Sequence, residues 1–253
     1  MENKISLVDI ILPNYNKAKF LDETIKSIIN QSFTNFTLYV IDDFSNDNSL
    51  DIIKKYSDSR IKLTALKENK GVSYCRNLGL GFSKSKYIAF IDADDYWDKN
   101  KLENQIKFME DFNYGFTYTD YIPFSFIRNN KKFKKKIIVK KEFNFKEFIH
   151  NTSIAMSTVI IHRSLVKNTR FKELKVCEDY LFKCEILRNN KAVKCEDALM
   201  YYRISKNSLQ SNKFRALYWV WKINKNFNKL SILNNFKSFL FISFNSIKKY
   251  GFK

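Results

Sequence analysis

Apolar runs of five or six residues alternate with amphipathic stretches through the first hundred positions. Val8-Asp9-Ile10-Ile11-Leu12 reads as a strand and runs into Pro13-Asn14-Tyr15-Asn16, a turn cluster. Phe20, Leu21, Thr24, Ile25, Ile28 and Ile29 then share one face of a helix. Phe36 to Ile41 is a second strand, ending in Asp42-Asp43 and a Ser/Asn/Asp-rich turn. Leu50, Ile52 and Ile53 lead a short helix, and Ile61 to Leu66 alternates as a third strand. A further helix passes through Cys75-Arg76-Asn77-Leu78, and Lys86 to Ile91 is a strand that delivers Asp92. Strands alternating with helices predict an α/β fold with a doubly wound, mostly parallel sheet. Ligands of such sheets sit at the carboxyl ends of the strands. Tyr15, Asp43 and Asp94 all follow strand ends, so one crevice is expected to hold them.

The later pattern is less regular. Glu178-Asp179 opens an amphipathic stretch containing Tyr180, Leu181, Phe182, Ile186 and Leu187. Lys131 to Lys136 is a low-complexity patch, expected as a mobile loop after Tyr118-Thr119-Asp120-Tyr121. From Phe214 to Phe244, large apolar residues interleave with lysines without a proline or glycine, which predicts a helical tail. The division is residues 1–205 as a catalytic domain, in halves 1–100 and 101–205, and 206–253 as the tail.

Asp92-Ala93-Asp94-Asp95 sets three carboxylates at the end of a buried strand. Each raises the cost of ionising its neighbours. A divalent cation relieves that conflict, because Mg²⁺ takes one or two carboxylates plus a substrate diphosphate. Alone, Asp-x-Asp is a weak motif that an acidic turn before a helix also explains. Its company is more specific. Ile10-Ile11-Leu12-Pro13-Asn14-Tyr15-Asn16, Val40-Ile41-Asp42-Asp43-Phe44-Ser45, Gly71-Val72-Ser73-Tyr74-Cys75-Arg76-Asn77 and the Asp92 to Asp95 run occur in that order.

Together they resemble the nucleotide-sugar-binding half of family 2 glycosyltransferases, inverting enzymes with the GT-A fold. The resemblance implies a UDP-sugar donor and Mg²⁺ or Mn²⁺. It places Pro13 and Tyr15 at the base, Asp43 on the uracil imide, Arg76 near the nucleotide, Asp92 on the ribose and Asp94 on the metal. Phe44 stands where the family usually has Gly, and Cys75 where Ala is common. The family's catalytic base lies in a Glu-Asp pair similar to Glu178-Asp179. A sugar hydroxyl is a poor nucleophile at neutral pH, so a placed carboxylate must take its proton. Asp179 is expected as that base and Glu178 as a supporting or acceptor-binding carboxylate. Ile154 to Arg163 looks like the family's small-residue strand beside the acceptor, making Ser157 and Thr158 candidate acceptor contacts. Tyr201 to Ser208 resembles the segment that closes over the diphosphate, with Arg203 near it. Relatives often carry a His where Ser205 stands.

The formal charge of +19 is concentrated. Arg128 to Lys141 holds eight basic residues and Ala198 to Lys253 eleven, with no acid in either segment, so the remainder is balanced. A basic patch fits nucleic acid, an anionic membrane or a solvated face. Crevice carboxylates repel phosphate, so no nucleic-acid partner is expected. Lys/Arg interleaved with Trp, Phe and Leu describes an interfacial helix on an anionic membrane surface. No segment approaches the roughly eighteen apolar residues of a spanning helix, and no basic n-region with an apolar core opens the chain. The four cysteines follow no metal or redox spacing and fit reduced thiols. The expected location is cytoplasmic, peripheral on the inner face of the cytoplasmic membrane, where a glycan or lipid-linked acceptor is presented. A sugar nucleotidyltransferase and a non-catalytic nucleic-acid-binding protein are the alternatives. Pro13-Asn14-Tyr15-Asn16 does not supply the Gly-rich phosphate loop that a nucleotidyltransferase needs.

Overall fold

The computed structural model describes residues 5–128, 130–204 and 213–250. Lys206, Asn207 and Ser208, with Ser205, lie outside them. The chain opens with β1 (Val8–Asn14), α1 (Ala18–Ile29), β2 (Phe36–Asp42), α2 (Ser49–Lys54), β3 (Ile61–Ala65), α3 (Val72–Phe82) and β4 (Tyr87–Phe90). It continues through β5 (Tyr96–Trp97), α4 (Lys101–Phe112), β6 (Phe116–Ile127), β7 (Asn130–Phe133), β8 (Glu142–Phe143) and α5 (Phe145–Phe148). β9 (Ile160–His162), α6 (Glu178–Leu187), β10 (Ala192–Arg203), α7 (Lys213–Asn226) and α8 (Ile232–Tyr250) complete it.

The sheet has the order β3-β2-β1-β4-β9-β6-β10-β5, with β7 on β6 and β8 on β10. β1 to β4 are parallel to one another, β9 runs antiparallel between β4 and β6, and β10 is parallel to β6. The chain winds outward from β1 to β3 and then returns to place β4 on β1's other side. That reversal opens a crevice at the carboxyl ends of β1 and β4. Every residue of β1 and β4 is buried, as expected of strands covered on both faces. α3 lies so close to β1 that a Cβ on Gly79 would sit 2.7 Å from Ile11 Cγ2. A side chain there would push the helix, and Arg76 with it, off the sheet.

Three expectations are corrected. Ile154 to Arg163 is not one strand: Met156–Thr158 forms a 3₁₀ turn, and only Ile160–His162 pairs. The lysine patch is not a free loop, since β6 continues to Ile127 and β7 folds back on it as a hairpin. α6 is not amphipathic: Tyr180, Leu181, Phe182, Lys183, Cys184, Ile186 and Leu187 are all buried. It is a core helix whose first turn carries the Glu-Asp pair.

α7 and α8 form the helical tail. Val220, Ile223 and Ile242 pack into the main core, and Tyr180 Oη donates to Asn224 at 2.9 Å. Among the described residues, no helix is long and apolar enough to cross a membrane.

Candidate active site

The turn after β4 is clamped from three sides. Thr24 Oγ1 on α1 bonds the carbonyls of Ala93 and Asp95 at 3.0 and 2.7 Å. Ser157 Oγ accepts from Asp92 N at 3.0 Å and donates to Asp95 Oδ2 at 2.6 Å. Arg203 donates its backbone N–H to Asp95 Oδ1 and its Nε to the Asp94 carbonyl, at 2.9 and 2.7 Å. Asp95 is thereby a buried strut, and burial, then the charges of Asp94 and Asp92, push its carboxyl well above the usual range. Asp92 and Asp94 keep their side chains toward the crevice, 38 % and 16 % exposed.

Each crevice carboxylate meets a cation. Lys17 Nζ, from the turn after β1, lies 2.5 Å from Asp94 Oδ2. Arg76 donates Nη2 to Asp92 Oδ1 at 2.8 Å and Nη1 to Glu178 Oε1 at 2.7 Å. Its guanidinium is buried over the Phe171 ring. Burial opposes its charge, but Asp92, Glu178 and Asp179 together hold it cationic. One side chain therefore ties the turn after β4 to the first turn of α6.

Asp179 lies beside this bridge, 16 % exposed, with Lys183 Nζ at 2.7 Å from Oδ2. Burial pushes its carboxyl up, but Lys183 and Arg76 pull harder and hold it below the ordinary value of 3.8. Glu178 goes the other way: burial raises it more than Arg76 lowers it. The pair thus splits into an ionised, partly open Asp179 and a Glu178 committed to Arg76. Cys177 precedes them in the left-handed region, φ 63°, which turns α6's first residues into the crevice.

On the opposite wall, Tyr15 is 48 % exposed, while Pro13 is buried in β1. Asp43 is buried, and its oxygens accept from Lys70 N at 2.7 Å and Gly71 N at 2.8 Å, fixing the entry to α3. Both oxygens are engaged by the chain itself. Ser157 and Thr158 depart from expectation. Both hydroxyls face inward, Ser157 to Asp92 and Asp95, and Thr158 to the Ala155 carbonyl at 2.6 Å. They brace the site from below and offer no surface to an acceptor. Arg203 is also buried, stacked over Phe20 and Phe124 and bonded to Glu23. It supports the Asp94 turn.

Sequence reasoning missed Lys17, Glu23, Thr24 and Lys183. Only Lys183 left a signal, being four residues after Asp179 on one helix face. The others meet the site through contacts across the chain.

The donor set suits a hard cation. Asp94 already attracts an ammonium, and all candidate protein ligands are oxygens. Among the described residues no three His, Cys, Asp or Glu side chains converge. Asp94 is the carboxylate that would hold such an ion.

Among the described residues, carboxylates paired to cations gather at the switch point of a doubly wound sheet, where such folds bind their ligands. Residues 9–170 match the description "Glycosyl transferase family 2". The chain is 34 % identical over 250 residues to the Escherichia coli UDP-Glc:alpha-D-GlcNAc-diphosphoundecaprenol beta-1,3-glucosyltransferase WfgD, covering 97 % of this chain and 96 % of that one. S. aureus TarS, solved with UDP-GlcNAc, superposes with TM-score 0.72 at 21 % identity over 96 % of this chain and 75 % of that chain. The Pyrobaculum calidifontis mannosyltransferase PcManGT, solved with GDP-Man and Mn²⁺, gives 0.68 at 14 % identity over 99 % and 77 %. The chain belongs to the family 2 glycosyltransferases and has the GT-A fold. That membership sets aside the sugar nucleotidyltransferase reading.

Proposed function

We propose that this enzyme transfers a sugar, with inversion, from a UDP-sugar to a hydroxyl of a lipid-linked, growing surface glycan of the lipopolysaccharide, lipooligosaccharide or capsule kind. The observation that carries the reading is the Asp179 carboxylate, held ionised by Lys183 and joined through Glu178 and Arg76 to Asp92. Tyr15 flanks the base, and the loop pinned by Asp43 closes that wall. Asp92 meets the ribose. Asp94 would hold Mg²⁺ or Mn²⁺, which offsets the charge of the departing UDP. Asp179 takes the acceptor proton as the oxygen attacks the anomeric carbon from the face opposite UDP. The relative that acts on a diphosphoundecaprenol acceptor is named for a β-linked product, which supports inversion and an acceptor of that class.

The tail supports work at the inner face of an anionic membrane. α8 is built inside out: Asn235 and Ser238 face the protein, while Ile232, Leu233, Phe236, Leu240 and Phe244 face outward. Neither it nor α7 carries an acid. An apolar outer stripe on a basic segment suits the interface of anionic lipids.

The test is UDP release from UDP-glucose, UDP-galactose, UDP-GlcNAc and UDP-GalNAc with Mn²⁺. One donor should be hydrolysed, and EDTA should stop it. Asp179→Asn should lower transfer by roughly a thousandfold or more while UDP affinity stays within about twofold. Normal turnover by that variant would remove Asp179 from the chemistry.

A further inference from the structure

α7 carries two apolar stripes, and the second is only partly covered, with Leu217 against the core and Trp221 against Phe239. Val220 and Ile223 face the core. Phe214, Leu217, Tyr218 and Trp221 follow the i, i+3, i+4, i+7 spacing of a second stripe. With Phe239 of α8 they line a groove of roughly 350 Å³. Phe214 is 88 % exposed. A surface helix ordinarily turns one apolar stripe to its core, so a second one that leaves Phe214 and Tyr218 exposed marks a binding surface.

The groove's position narrows the occupant. Its Phe214–Leu217 end lies where α7 meets α6, with Cys177 Sγ 3.8 Å from the Ala216 carbonyl. Glu178 and Asp179 follow Cys177 directly. Along the rim, Lys222 Nζ sits 5.0 Å from the Tyr218 ring centroid. A hydrocarbon groove with an ammonium on its rim, beside the helix that carries Asp179, matches an apolar chain that carries an anionic head. It is also continuous with the outward stripe of α8.

We propose that this groove binds the polyprenyl chain of the acceptor, holding the isoprene units nearest the diphosphate while the rest stays in the bilayer. This rests on the lipid-linked acceptor proposed above. The groove would fix the chain end, so that the sugar hydroxyl beyond the diphosphate reaches Asp179. Recognition would then depend on the lipid as well as the sugar.

The full-length protein should be titrated calorimetrically with inorganic diphosphate, geranyl diphosphate and farnesyl diphosphate. Affinity should rise with chain length. Phe214→Ser with Tyr218→Ser should weaken farnesyl diphosphate about tenfold at an unchanged melting temperature, since both side chains are exposed. Ile232→Ser, outside the groove, should reduce adsorption to anionic vesicles and leave farnesyl diphosphate affinity alone. Equal affinity for the three diphosphates would overturn the proposal. So would a double variant that loses vesicle adsorption but keeps farnesyl diphosphate, because the groove would then be bilayer surface only. Chain-length-dependent binding without UDP release from any donor would keep the groove and sink the transferase reading. UDP release without chain-length dependence would do the reverse.

Discussion

Lys17 and Lys183 do opposite jobs for two carboxylates of the same crevice. Lys17 occupies the place beside Asp94 that a divalent ion would take, so the two cations compete. Lys17→Met should tighten Mn²⁺ binding in the absence of nucleotide by roughly threefold to tenfold, read by electron paramagnetic resonance. An unchanged Mn²⁺ isotherm would mean the ion binds elsewhere. Lys183 keeps Asp179 charged against its burial. Asp179's folded pKa lies below 3.8, so its contribution to stability is present above that value and lost as pH falls through the folded pKa. The acid limb of kcat/KM due to the base should therefore lie below the ordinary carboxylate range. Lys183→Met removes the main opposing charge and leaves burial unbalanced. Its acid limb should move upward in pH, and folding stability should drop by about 3 kcal/mol. A profile identical to wild type would show that Asp179 does not titrate as the base.

Loops between elements carry the site, and three of them hold a non-glycine residue in the left-handed region, at Asn16, Phe44 and Cys177. Phe44, at φ 62°, takes a left-handed conformation where glycine is at ease. Its ring is 56 % exposed, so little packing offsets that cost. Phe44→Gly should gain a net of roughly 0.5–1 kcal/mol, after glycine's greater unfolded-state entropy is counted. The melting temperature should rise by roughly 2 °C. A fall would assign the ring a packing role over the neighbouring base site. The same elements explain what the sequence made legible. β1, β2 and β4 are buried strands that end in polar turns, so both the sheet and its carboxyl ends stood out as apolar runs followed by Asn and Asp. Ile154 to Arg163 is equally apolar, yet apolarity alone does not separate a 3₁₀ turn from a strand. The β6–β7 hairpin was hidden because half of β7 is lysine and the turn before it holds no glycine. Ser157 carried no sign that its hydroxyl points at Asp95, since that contact spans 62 residues of chain. Glu23 reaches Arg203 across 180.

At the scale of the whole molecule, charge and apolar surface coincide on the tail. Adsorption to anionic vesicles should exceed that to zwitterionic ones and weaken as salt is raised, at about 1 kcal/mol for each basic residue at the surface. Leu240→Glu should abolish much of it by placing a charge in the outer stripe of α8. Binding that ignores both lipid charge and salt would leave only the apolar stripe as the attachment.

The Arg76 bridge has a bearing on how such enzymes could be recombined. The division proposed from the sequence sets donor binding before residue 100 and acceptor binding after it, which invites hybrids that swap one half. A hybrid inherits a buried guanidinium from one parent and its carboxylate partner from the other. If Glu178 arrives without Arg76, an unpaired carboxylate is sealed in the seam, and if Arg76 arrives without Glu178 it keeps only Asp92. Exchangeable halves in this fold should therefore be those that agree at these two positions, whatever sugars their parents use.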